Sequence, residues 1–226
     1  MKRFVAVAAA IGVIVGGTYV FRPKAPTSPD QPVPEALQTN GTVDKAELER
    51  LIGVYEQRVS TNETASDDTF LGRLYLQQGK LSGDLSAYTR ASDVLSASLR
   101  VYPGDPDAST LLASTKYTVH DFHGALDLAR TIPGLGAKAL VGDAELELGD
   151  YDGAAMIYDE LIAHLPGVAA VDARRSRLAF LRGDIHSAQS FATRAAREAT
   201  DEGAFGPGLA QYHTVLSTLA FERGDY

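Results

Sequence analysis

Cysteine is absent from the 226-residue chain. That excludes disulfides, thiol catalysis and cysteine-ligated metal sites. Nor is there a phosphate-binding glycine loop: Gly134, Gly136, Gly142 and Gly149 have neither the spacing nor a preceding strand. His164, His186 and His213 are scattered, with no serine and acid at a spacing that would make a triad. His120-Asp121-x-His123 offers two imidazoles and one carboxylate but no fourth ligand, and helix capping explains those residues instead. Positive charge is also in short supply, with 21 basic against 29 acidic residues and a formal net charge of −8. All the acidic residues follow residue 24, whereas four basic ones precede it. An acidic surface of this kind argues against binding nucleic acid and against lying on an anionic bilayer. No catalytic residue, metal or cofactor is expected.

One long uncharged run is present. Phe4–Phe21 spans 18 residues between Lys2-Arg3 and Arg22 with Lys24. As a helix it would be about 27 Å long, near the lower limit for a membrane span. No small-x-small cleavage site follows it, so residues 1–24 are expected to be an uncleaved anchor, with a signal peptide as the alternative. The short basic N-terminus then stays inside and the rest is exported, giving a single-pass protein at the cell membrane. Signal cleavage would instead give a secreted or periplasmic one. Residues 25–43 continue a run in which Pro23, Pro26, Pro29, Pro32 and Pro34 alternate with polar residues. Such a segment reads as a semi-rigid linker.

The remainder, residues 44–226, is periodic. Gly149-Asp150-Tyr151 recurs 34 residues later as Gly183-Asp184-Ile185, and after a further 41 as Gly224-Asp225-Tyr226. A period near 34 marks a helix–turn–helix repeat stacked into a solenoid. In the unit 135–168, Gly149 supplies the positive φ that ends the first helix, Asp150 caps the second, and Pro166 stops it. Small Gly142 and Ala154 allow close helix approach beside bulkier Val141, Tyr158 and Leu161. Further repeats are expected at about 67–103, 106–134 and 169–202, with a first helix alone at 210–226. Asp44 with Glu47 starts a capping helix at 44–60. The repeat at 67–103 is expected to carry a long inter-helix loop, roughly Ser82–Thr89. Ending on Gly-Asp-Tyr suggests a fragment of a longer protein.

These spacings, with Val141, Gly142, Ala154 and Pro166 at their register positions, identify the chain as a tetratricopeptide repeat (TPR) protein by resemblance. Glu145 stands where an aromatic is usual, and Leu161 where alanine is. The runs Asp68–Tyr75, His120-Asp121-Phe122 and Gly142-Asp143-Ala144 resemble bacterial membrane-anchored or exported TPR proteins of unassigned function. The resemblance implies an all-α, right-handed superhelix without enzymatic activity.

On that register the first helices face a concave groove. Tyr117, Leu146, Phe180 and Phe221 would form an apolar column along it, and Arg174 and Arg177, one turn apart, a positive spot. Together they would hold an extended protein or peptide segment, the arginines pairing with a carboxylate. The alternative is that the column is core packing and the arginines are solvated or paired with Asp172 and Asp184. The leading function is a tethered, non-enzymatic interaction scaffold. The runner-up is the regulatory N-terminal region of a larger enzyme; self-association through an uncapped solenoid end is a third reading.

Overall fold

The computed structural model of the chain describes residues 45–62, 64–204 and 207–223. These residues form ten α-helices, and no strand occurs among them. They fall into two compact units that divide in sequence between Leu128 and Ala129.

The first unit contains α1 (Lys45–Thr61), α2 (Ala65–Ser82), α3 (Leu85–Val101), α4 (Pro106–Thr118) and α5 (Phe122–Ala129, whose last residue lies past the division). Its core joins Leu48, Leu51, Leu71, Leu74, Tyr88, Leu95 and Leu112. Gly72 lets α2 and α3 approach so closely that a Cβ there would lie 2.6 Å from Leu95 Cγ. Leu95 itself is fully buried, and a leucine in that state stabilises by about 1.5–3 kcal/mol. The expected long loop is not there. α2 runs to Ser82 and α3 starts at Leu85, so two residues make the turn. Gly83 takes a left-handed φ of 71° and Asp84 accepts from Ser86 N, which starts a helix at once in a stretch whose composition reads as loop.

The second unit contains α6 (Leu135–Glu147), α7 (Tyr151–His164), α8 (Ala169–Leu181), α9 (Ile185–Asp201) and α10 (Pro207–Arg223). The α6–α7 hairpin closes where Gly142 meets Ile157 and Tyr158. Ser176 and Ala188 serve the same purpose between α8 and α9, where Ser176 Oγ donates to the Ala188 carbonyl at 2.8 Å. The turns repeat the plan of Gly83-Asp84. Gly149 and Gly183 have φ of 86° and 82°, and Asp150 and Asp184 accept from Gly153 N and Ser187 N. His120 takes this place in the α4–α5 turn with φ 66°, the single non-glycine residue with positive φ among those described.

The membrane-anchored localisation requires correction. Among the described residues no helix is long and apolar enough to cross a membrane. The longest, α2, carries Asp67, Asp68, Arg73 and Lys80 within 18 residues. The run Phe4–Phe21, the linker at 25–43, Asp44 and Gly224-Asp225-Tyr226 lie outside the described residues.

Two outcomes follow from this packing. Gly142→Val should lower stability by about 3 kcal/mol, because the added carbons meet a buried tyrosine ring. Gly53→Ala should raise it by up to ~1 kcal/mol, since nothing lies within 4 Å of a Cβ there and the helix gains intrinsic propensity. Urea denaturation of both variants checks the opposite signs. The second outcome concerns pH. Hydrogen bonds from the Ser187 hydroxyl and amide hold the Asp184 carboxyl below its ordinary 3.8. Its contribution is therefore complete above that value and is lost as pH falls through the lowered folded one. Asp184→Asn caps without titrating. The stability gap between parent and variant should shrink on acidification, as followed by urea midpoints from about pH 6 down to about pH 2.5.

Candidate functional site

Three arginines of α8 and its C-terminal turn reach back 30 or 31 residues to the preceding hairpin. Arg174 engages Asp143 of α6 through two hydrogen bonds, Nε to Oδ1 and Nη2 to Oδ2, each 2.8 Å. Its Nη1 donates to the Ala170 carbonyl at 3.0 Å. The Tyr158 hydroxyl from α7 donates to the same Asp143 Oδ1 at 2.9 Å, so one carboxylate ties together three helices. Burial pushes the Asp143 carboxyl up, and the Arg174 guanidinium with the Tyr158 hydroxyl pulls it back. Arg177 forms an ion pair with Glu147. Arg182 Nη2 donates to Asp152 Oδ1 at 2.6 Å and to the Tyr151 carbonyl at 3.0 Å.

A second charged centre lies between α8 and α9. Asp172, almost fully buried, accepts from Arg194 Nη2 at 2.6 Å and Nε at 2.8 Å. Arg175 and Arg194 both stand over the Phe191 ring, 4.2 Å and 5.0 Å from its centroid. Burial, with Asp172 nearby, pushes the Glu198 carboxyl up.

These contacts change the groove expected from the sequence. Arg174 and Arg177 are 4% and 7% exposed and belong to Asp143 and Glu147, not to Asp172 or Asp184. A guanidinium held by two hydrogen bonds on a buried aspartate has little capacity left for a ligand carboxylate. The apolar column also divides. Leu146, 3% exposed, packs in the core with Tyr158, Leu161, Val171 and Leu178. Phe180 is half-buried against Ala179, Ala188, Ala192 and Leu219, while Phe221 is 64% exposed. Tyr117, in the other unit, is 7% exposed and meets Phe122 edge-on at 5.3 Å. Among the described residues no group of three or more His, Asp or Glu is placed to hold a metal ion.

The Asp143–Arg174 pair makes a direct test of this arrangement. Arg174→Ala should cost about 3–5 kcal/mol, because it strands a buried carboxylate. The double variant Asp143→Leu/Arg174→Met should recover most of that loss in thermal or urea unfolding. A single-variant cost no larger than that of an exposed pair, about 1 kcal/mol or less, would contradict it.

No protein-family model and no curated protein matches the sequence. Solved structures match in fold. The structure of the APC/C hetero-tetramer Cut9–Hcn1 is similar with a TM-score of 0.67 and 16% identity, over 80% of this chain and 34% of that one. The chain thus spans about a third of that relative's length. TTC0263, a thermophilic TPR protein of Thermus thermophilus, is similar with a TM-score of 0.56 and 19% identity, over 68% of this chain and 84% of its own. YrrB, described as a TPR protein with an unusual peptide-binding site, gives 0.55 and 16%, over 80% of this chain and 85% of its own. At these identities the likeness is one of fold, and the fold of this chain is all-α, of the TPR type.

Proposed function

We propose that the chain is a non-catalytic scaffold that holds a partner protein, or an extended peptide segment of one, along the first-helix faces of its repeats. The observation that carries this reading is Phe221. It is a large aromatic 64% exposed on α10, at the first-helix register position that Phe180 takes on α8. Aromatic side chains supply much contact area for little lost freedom and dominate the energetics of protein interfaces. YrrB's peptide-binding site belongs to YrrB; what it lends here is a precedent for one helical fold being used in that way.

Arg174 and Arg177 take a different part from the one their charge suggests. They fix α8 against α6 through Asp143 and Glu147, and so set where Phe180 and its neighbours stand. Recognition on this face is then led by apolar contact, with Phe180 and Phe221 as contact residues.

Photo-crosslinking tests the proposal. A benzoylphenylalanine at position 221 should capture a discrete partner from the source cell, whereas one at Met156, 74% exposed on the second helix α7, should not. Phe221→Ala should then weaken binding of the purified partner at least ~10-fold with unchanged helicity. Equal capture from both positions, or unaltered affinity, would overturn it.

A further inference from the structure

The four hairpin turns share one backbone plan, and at one of them the charge pattern is inverted. A left-handed residue (Gly83, His120, Gly149 or Gly183) precedes a capping aspartate (Asp84, Asp121, Asp150 or Asp184). The residue five positions before the aspartate sits one turn back on the first helix. In the α4–α5 turn it is Lys116, whose Nζ lies 2.8 Å from Asp121 Oδ2. In the α6–α7 turn the same register position holds Glu145.

Glu145 Oε1 accepts from Arg130 Nη2 at 3.1 Å. Its Oε2 is buried with no hydrogen-bond partner, on a residue only 8% exposed. Asp150 uses Oδ1 for the cap, accepting from Gly153 N at 2.9 Å. A Cβ on Gly153 would lie 2.6 Å from Asp150 Oδ2 and 2.8 Å from Glu145 Oε2, so both remaining oxygens converge on one notch beside that glycine. Two carboxylates so close repel one another, and a buried one without a donor carries a desolvation cost. A cation between them would convert the repulsion into attraction.

We propose that this notch binds a primary ammonium group from outside the described chain, such as a lysine side chain of a partner, in the role that Lys116 fills within the chain at Asp121. An ammonium brings three donors and is satisfied by a few acceptors. A hard divalent metal ion takes about six to eight oxygens, and two carboxylates make a poor match for it. Asp150 is exposed, so its side chain is able to swing and admit the group to the buried Glu145 oxygen. The site uses neither Phe180 nor Phe221 and stands or falls apart from the apolar reading of the first-helix face.

The test is a titration of the full chain, with carboxylate carbons labelled, followed by NMR. Methylammonium chloride should give saturable shifts at Glu145 and Asp150. Tetramethylammonium chloride at equal ionic strength, which has no N–H to donate, should not. Glu145→Gln keeps the shape and should weaken the response at least ~10-fold, as expected for losing a charged acceptor. Glu145→Lys supplies the ammonium internally and should abolish the response. Identical effects of the two ammonium salts, an unchanged titration in Glu145→Gln, or saturation by calcium chloride alone would each overturn the proposal.

Discussion

The fold depends on reversing the chain within two or three residues without leaving a helix end unsatisfied. A left-handed residue ends the first helix, and the aspartate after it caps the second. Each part needs the other. Glycine alone would end a helix without starting one, and aspartate alone would not bring the chain round. Because the reversal is so short, paired helices lie close together over their full length. Their contact faces must then carry small residues such as Gly72, Gly142, Ala154 and Ala188. Tyr158, Leu95 and Leu161 fill the volume beside them.

Within the second unit a different force holds one hairpin to the next. Asp143 is almost fully buried, and its place is tolerable because Arg174 and Tyr158 saturate it. That arrangement spends the charge of α8 inside the protein. A face that the residue count alone would call positive is electrostatically quiet, and its binding character passes to aromatic and aliphatic side chains. The same economy operates at Asp172, where Arg194 and Arg175 cover both a carboxylate and the Phe191 ring.

Repeat spacing, turn chemistry and small-residue positions could all be read in the sequence, because each is written within about a dozen neighbouring residues. Gly149-Asp150 announces a turn without reference to anything distant. The extent of the α2–α3 turn was harder: Leu85–Thr89 follows a Ser-Gly-Asp sequence typical of loops, yet the tight cap makes it helical. The partners of Arg174 and Arg177 were harder still. Asp143 and Glu147 lie a full repeat away, and choosing them over the nearer Asp172 and Asp184 requires knowing which faces of α6 and α8 meet. Leu146 and Tyr117 misled for a related reason. A register position says which side of a helix a residue occupies, but the depth of the neighbouring helix decides whether that side is open. Glu145 stood out as the wrong residue type for its position, and only the neighbouring turn geometry gives that oddity a chemical meaning.

The three arginine links from α8 and its following turn to α6 and α7 all run the same way along the sequence, at offsets of 30 or 31 residues. Sliding one hairpin past the other by a single helical turn would break all of them together, while a small splaying motion would stretch them unequally and one after another. Under a pulling load this part of the protein is therefore stiff in shear and comparatively yielding in peel.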